Sequence, residues 1–560
     1  MEQRSVSVWP RLEPFLLGVL PAAPPAKFSM HYLRKMAAYV RARTREGCFP
    51  RLHWPLWRHI ACGKLQLPED TAWLYFETCD LLAPRPPEER LEWAEAVSQC
   101  GSVEELDKLR YKLSVDTLQF LLFLYIQQLN RVSLRTSLIG EEWPSPRSRS
   151  RSPSPDRDAK TAAQNKNWDD QAHLSFIQTH LSDLLELVLE PEQLGGPGQA
   201  VHDSQVSAEA LRGLSFLLEG SLSRGRAVHG LHELLGWGPL QAQAGYSALT
   251  HSFSLPRLQA WLRESLTANP FGTTACLRSG KKLAWAQQVD GAMKRAKIAR
   301  NTHIAPPGSR VVLMSQVYRQ TVAKDSEKLA GANVKLHRCS EAYIYLLTPL
   351  RSVSVEKCRN TTVVLGPVQS TVHVQSCEDV CVVCVAGRLS VGASSRCTFH
   401  ALTPTRPLLL PGNEALTLAP FHTHYPSLED HMASVGLAVV PSSWDQPLLL
   451  GSEGPLGNPP YRLLPPSEFC PLVVPFEMEG DTTEIPGGLP PQYQKALTAR
   501  EQRVQNWQRT VKEAKLNKEQ RRQFQALVEQ KFHEWLLESG HRQQLDSLIP
   551  APPETKQAAG

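Results

Sequence analysis

Val334-Lys335-Leu336-His337-Arg338-Cys339, Val353-Ser354-Val355-Glu356-Lys357-Cys358 and Val372-His373-Val374-Gln375-Ser376-Cys377 are three copies of one pattern. Their cysteines stand 19 residues apart, twice. The apolar residues that follow keep the register: Ile344, Val363 and Val382 align, as do Leu346, Leu365 and Cys384. A fourth copy is expected from Leu389-Ser390-Val391 to Cys397, with three extra residues. Short alternating strands at a fixed period near 20, with turn residues between them, mean stacked coils. One coil cannot bury its own apolar residues, so each must lie on the next. This predicts a parallel β-helix with valine on valine and cysteine on cysteine inside it. Val353, Val355, Cys358, Val372, Val374 and Cys377 are its expected core. The period does not set the handedness.

The repeat also bears on metal chemistry. Cys377-x3-Cys381-x2-Cys384 has the spacing of a radical-SAM iron–sulfur motif. Cys377 already continues the ladder of Cys339 and Cys358, however, and all three cysteines fall on a predicted strand, whereas a cluster needs a loop that wraps it. We read the ladder cysteines as small buried apolar side chains. A second candidate is His422-Thr423-His424, followed by Asp430 and His431. On a strand, His-x-His aims both rings to one face, which suits zinc or iron. No further ligand follows at a diagnostic spacing, so structural histidines are the expectation, with no metal and no cofactor. Phosphate-binding loops, dinucleotide fingerprints and nucleophile elbows are absent from the sequence.

Working outward, helical spacing governs both flanks. Residues 1–143 read as a helical region. Lys27–Arg43, Glu69–Leu82 and Glu88–Gln99 are helices, and Val115–Leu129 is the strongest, central and buried. Trp54, Trp57, Trp73, Trp93 and Trp143 are expected in packing rather than on a ligand. Residues 144–167 are Ser-, Arg- and Pro-rich and aperiodic, a disordered linker whose Ser-Pro steps suit kinases. Its Arg-Ser alternation is short and offset by nearby carboxylates, so no nucleic-acid role follows. Helix returns over 168–293, with Trp168–Leu189, Ser207–Leu218 and Pro256–Leu266. The β-helix is placed at 294–435, a Pro-rich extended segment packing on it at 436–493, two helices at 494–540 and a flexible tail at 541–560. The first of these helices carries Val504, Trp507 and Val511. The second opens at Asn517 with Gln520 closing a capping box, and its stripe runs Phe524, Leu527, Val528, Phe532, Trp535 and Leu536. That pair either meets a partner or folds back on its own domain.

Composition narrows the class. The chain has 560 residues, 42% of them hydrophobic, which supports several folded domains. A formal charge of +6 is too small for this length to imply nucleic-acid binding. The apolar run Phe120–Ile126 is far shorter than the ~20 residues a bilayer requires. The Phe15–Leu20 run is too short and too crowded by prolines for a signal segment, so the twelve cysteines are expected to be reduced thiols in the cytoplasm.

Leu365-Gly366-Pro367-Val368, Ser370-Thr371, the repeated cysteine turns and Thr403-Pro404-Thr405-Arg406-Pro407-Leu408 resemble the C-CAP/cofactor C-like domain family. Arg58–Leu67, Ser114–Trp143, Phe476–Leu489 and Lys556–Gly560 resemble one member of that family along essentially the whole chain. The resemblance implies a right-handed parallel β-helix, so the fold class expected is an α+β multidomain chain with helical regions at both ends. Cofactor C activates GTP hydrolysis by tubulin. The resemblance implies that an arginine ending a Gln-Gln-Leu-Arg run supplies the positive charge. Here the run is Gly387-Arg388-Leu389-Ser390, so the finger position is Ser390, and no catalytic residue carries over. Arg388 stands two residues away on the same strand face, ~6–7 Å from the family position.

The resemblance implies a non-enzymatic cytoskeletal scaffold or adaptor at the centrosome and spindle pole, which helps position centrosome and Golgi and maintain cell shape. Centrosomal or microtubule-associated proteins, tubulin or a small GTPase are the partners it implies. The alternatives are a GTPase-activating protein for tubulin or a small GTPase, using Arg388 or Arg406, and a tubulin-folding factor without that activity.

Overall fold

The computed structural model describes residues 6–20, 28–43, 51–129, 168–189, 204–222, 227–279, 281–282, 297–301, 305–306, 308–324, 327–450, 459–476, 484–539, 541–542 and 545. Trp143, the expected linker at 144–167 and the expected tail at 541–560, apart from 541, 542 and 545, lie outside them. The chain divides into two compact units: Met1–Arg85 with Gln99–Lys281 and Ala299–Val312, and the remainder.

The first unit is mainly helical. Its principal helices are α1 (Met30–Arg41), α2 (Glu69–Leu82), α3 (Thr117–Ile126), α4 (Asp170–Val188) and α5 (Leu255–Ser265). Helix α3 is central. Every residue of it except Gln119 is buried, and it packs against α1, α2 and α4. A helix apolar all round has nowhere to go but inside. Its start is fixed by Asp116, whose carboxylate accepts the Gln119 N–H at 2.9 Å. Trp57 packs edge-on to Phe120, centroids 4.8 Å apart, and donates to the Ala72 carbonyl at 2.8 Å. Trp54 and Trp57 are buried, as expected of packing residues, while Trp73 and Trp93 are half-covered.

The second unit is a parallel β-solenoid of about six turns. Its strands are β1 (Thr321–Lys324), β2 (Asn333–His337), β3 (Tyr343–Leu346), β4 (Ser352–Glu356), β5 (Thr362–Leu365), β6 (Val368–Gln375), β7 (Cys381–Gly392), β8 (Thr398–Leu402), β9 (Leu408–Leu409) and β10 (Leu416–Pro420). They form two walls. One runs β1, β3, β5, the first half of β7, β8 and β10. The other runs β2, β4, β6, the second half of β7 and β9. Val334 pairs with Val353 and Val353 with Val372, while Ile344 pairs with Val363 and Val363 with Val382. The core expected from the 19-residue period is buried throughout.

The cysteines sit in a recurring turn. The residue before each is in the left-handed region: Arg338, Lys357 and Ser376 have φ of 53°, 54° and 54°. Such a conformation is uncommon for residues with a Cβ, and here the neighbouring coils impose it. Lys357 donates its N–H to the Gln375 carbonyl at 3.0 Å. Each thiol in turn reaches the carbonyl two residues back, Cys358 to Glu356 at 3.5 Å and Cys377 to Gln375 at 3.4 Å.

The fourth coil differs from expectation. It is shorter, not longer. The pairing is Val372 with Leu389, Val374 with Val391 and Glu378 with Ser395, an offset of 17. The ladder partner of Cys377 is therefore Ser394, whose hydroxyl donates to the Gly392 carbonyl at 2.8 Å and accepts the Cys377 N–H at 3.1 Å. Cys397 lies one turn position further on. One residue is lost at the corner between the walls, where β7 runs straight through, and the other at the register shift between Val368 and Thr371. Gly387 makes this corner feasible: a Cβ there would lie 2.6 Å from the Gln369 carbonyl oxygen and 2.8 Å from that of Ser370.

The outer side of the first wall is covered by the domain's own chain. Tyr345, Val364, Val383, Val385 and Leu402 pack under Phe421, Tyr425 and α6 (Leu428–Ser434), with Leu472, Val474 and Phe476 at the margin. The chain beyond 435 also returns to the ladder, Leu448–Leu449 on β9 and Tyr461–Leu463 on β10. Two helices follow, α7 (Pro491–Glu513) and α8 (Lys518–Glu538). Asn517 and Gln520 close the capping box with bonds of 2.8 and 3.0 Å. Tyr493 alone among the α7 side chains is buried, and none on α8 is. Folding back thus holds only for the start of α7, where Tyr493 donates to Leu464 and Arg500 to Ser467.

Candidate functional site

The position of the family finger falls on the second wall. Alternation along β2, β4, β6 and β7 sends Val334, Leu336, Val353, Val355, Val372, Val374, Leu389 and Val391 inward. The residues between them form three rows on the other side. Lys335, Ser354, His373 and Ser390 make the middle row. Asn333 and Ser352 pair in one flanking row, to which Thr371 and Arg388 belong, and His337, Glu356, Gln375 and Gly392 make the other.

This side is polar and yet out of water. Arg388 is 2% exposed, Ser390 3% and Lys335 2%. Burying charge is costly unless it is paired, and the pairing is present. Lys335 Nζ lies 3.0 Å from Glu356 Oε2, and Ser354 donates to the other Glu356 oxygen at 2.9 Å. Ser352 donates to Asn333 Oδ1 at 2.6 Å. Burial lowers the Lys335 ammonium from its ordinary value, opposed by Glu356. Burial, reinforced by Lys335, pushes His337 down to about 4. His373 is lowered too, again chiefly by burial. Both imidazoles are therefore neutral near pH 7.

Ser390 Oγ lies 3.2 Å from His373 Nδ1. A hydroxyl there donates or accepts one hydrogen bond and carries no charge. Arg388 pairs across the ladder with Thr371 and is almost wholly covered. Arg406 is exposed, but its guanidinium is committed to the chain, with Nε donating to the Gln446 carbonyl at 3.0 Å and an Nη to that of Pro447 at 3.3 Å. The structure thus brings Ser390 and Arg388 onto one covered face and leaves Arg406 at a corner of the coil. Sequence reading missed His373, Lys335 and Glu356. The signal was present: Lys335, Ser354 and His373 are themselves 19 apart, as are His337, Glu356 and Gln375.

The cysteine and histidine candidates separate. Cys381 packs with Val383 and Val385 on the outside of β7, whereas Cys384 lies between them on the opposite, interior side. Burial pushes both thiols up to about 12, the reverse of what a thiolate ligand needs. His422 stacks on His400, and His431 meets Tyr425 Oη at 2.9 Å. Among the described residues no group of three or more His, Cys, Asp or Glu is placed to hold a metal ion. Nor is any described helix long and apolar enough to cross a membrane.

Similarity to known proteins agrees with this architecture. The family TBCC: Tubulin binding cofactor C matches residues 331–448, which take in β2 to β10. The chain is 68% identical over 552 residues to TBCC domain-containing protein 1 of Danio rerio, covering 98% of this chain and 94% of that protein. It is 61% identical to the Homo sapiens protein of that name over 560 residues, covering both in full. The Xenopus tropicalis protein is 54% identical over 549 residues, 98% of this chain and all of that one. Likeness of this extent reaches well beyond the solenoid into the helical unit and the terminal helices, and the chain therefore belongs to the TBCC domain-containing protein 1 family.

Proposed function

We propose that the protein is a non-enzymatic scaffold or adaptor of the microtubule cytoskeleton, acting in the cytoplasm at the centrosome and spindle pole. In this reading it helps position centrosome and Golgi and maintain cell shape. Its partners are centrosomal or microtubule-associated proteins, with tubulin or a small GTPase as a bound client rather than a substrate. The observation that carries the reading is the state of the finger position. Phosphoryl transfer spreads negative charge over the γ-phosphoryl oxygens, and a cationic finger that meets it is worth 10³–10⁵ in rate. Ser390 is neutral and engaged with His373. Arg388, the nearest cation on the same strand face, is 2% exposed.

The test is single-turnover GTP hydrolysis by tubulin and by a panel of small GTPases, with and without the full chain. No stimulation is expected. A robust stimulation that disappears on Arg388→Ala overturns the reading in favour of a GTPase-activating protein. Proximity labelling from the tagged chain, followed by crosslinking, identifies the direct partner and checks the centrosomal placement.

A further inference from the structure

We infer that α8 is a dimerisation helix that pairs antiparallel with α8 of a second copy of the chain. This goes beyond the scaffold reading and does not depend on it. Three observations carry the inference.

The first is exposure. Phe524, Leu527, Val528, Phe532 and Trp535 recur along one side of α8, and Val528, Phe532 and Trp535 are 42%, 57% and 50% exposed. A helix of 21 residues with no buried side chain gains little from propensity alone, and helices in proteins are held by packing of an apolar face. Phe524 meets Trp507 of α7, centroids 5.8 Å apart, which adds a further exposed ring to the same surface.

The second is charge order. Lys518, Arg521 and Arg522 crowd the N-terminal end of α8, against Glu519 alone. Glu529, Glu534 and Glu538 occupy the C-terminal half, against Lys531 alone. This is opposite to what an isolated helix favours, since its dipole prefers anions at the N-terminus and cations at the C-terminus. An antiparallel copy reverses the balance. Each basic end then lies at the level of the partner's acidic end, and the two helix dipoles oppose. A parallel pair sets like charges together.

The third is register. At 100° per residue, Arg521, Phe524, Val528, Phe532 and Trp535 fall within one narrow arc, spaced symmetrically about Val528. A two-fold axis at Val528 sets Phe524 at the level of the partner's Phe532, and Arg521 at that of its Trp535, a cation over an aromatic ring. A self-complementary patch of this kind is what an isologous interface requires.

The experiment is sedimentation velocity on the full chain from ~0.5 to ~50 μM, about two decades around a micromolar dimer. A concentration-dependent dimer is expected. Val528→Asp sets two carboxylates face to face on the axis and should weaken dimerisation at least about tenfold. One double variant, Arg521→Glu with Arg522→Glu, makes both ends of α8 acidic; another, Glu534→Lys with Glu538→Lys, makes both basic. Each alone should be monomeric, and the mixture should form a heterodimer. A monomeric wild-type chain across the range overturns the inference and assigns the stripe to a different protein. A dimer indifferent to Val528→Asp and to both charge variants overturns it equally, since the contact then lies elsewhere. Circular dichroism of each variant confirms that the helices persist.

Discussion

The rings of His400 and His422 stack 3.5 Å apart at an interplanar angle of 7°, inside the solenoid domain. His400 Nδ1 donates to the Pro420 carbonyl at 3.2 Å, and Phe469 lies against both rings. Burial holds His400 down at about 4. Burial and then the neighbouring imidazole hold His422 down at about 2. Stacked neutral rings are compatible with that setting, and two imidazolium ions are not.

The pair therefore makes stability pH-dependent. Both folded values lie below the ordinary 6.5. As pH falls through 6.5 the unfolded chain takes up protons that the folded chain refuses, so stability present at neutral pH is lost on acidification. Between about pH 6.5 and 5 the loss is about 2 kcal/mol per ring. Urea denaturation of the chain at a series of pH values should show the midpoint falling over this window. His422→Phe should flatten the profile; an unchanged slope would refute the assignment.

Cys358 should accept serine and reject aspartate. Serine already occupies the equivalent place at Ser394 and makes the same bond to the carbonyl two residues back. Cys358→Ser is expected to cost about 1 kcal/mol or less. Cys358→Asp buries an unpaired charge between Cys339 and Cys377 and should abolish cooperative folding of the domain. Thermal denaturation and soluble yield distinguish the two.

Breaking the buried ion pair should cost more than removing it. Lys335→Met leaves Glu356 charged and covered, for a loss of about 3–5 kcal/mol. Lys335→Met combined with Glu356→Leu should recover a large part of that loss. If both variants are equally unstable, packing rather than charge is what the pair supplies.

Gly387→Ala should destabilise by about 1–3 kcal/mol, because the added methyl meets two backbone carbonyls that cannot swing aside. Ala386→Gly, one residue earlier, serves as the control for corner flexibility. Chemical denaturation reads both.

Much of the solenoid was legible because a period-2 alternation nested in a period of 19 has few structural solutions. Glu69–Leu82 and the capping box at Asn517 were equally plain, since local chemistry alone fixes them. The fourth coil was not. Matching cysteine to cysteine pointed to Cys397, whereas the turn asks only for a small side chain that reaches a carbonyl, and Ser394 does that. Ser390 was found only through family resemblance. The Lys335, Ser354 and His373 column was written in the spacing, but its burial depends on what covers the wall, which no local pattern encodes.

The unequal coils carry a practical corollary. Val363 to Val382 takes 19 residues, Val382 to Phe399 takes 17, and Leu418 to Leu463 takes 45, yet each is an in-register ladder step. Corner length and wall pairing are thus separate degrees of freedom, because each coil touches only its neighbours. The chain has already used this freedom to grow, between Pro420 and Tyr461, the segment that shields its first wall. An engineer has the same freedom. An epitope or protease site spliced into that excursion should report on the domain in cells, provided that it spares Ser443–Leu449, which hold Thr403, Arg406 and β9 beside the Ser390 face.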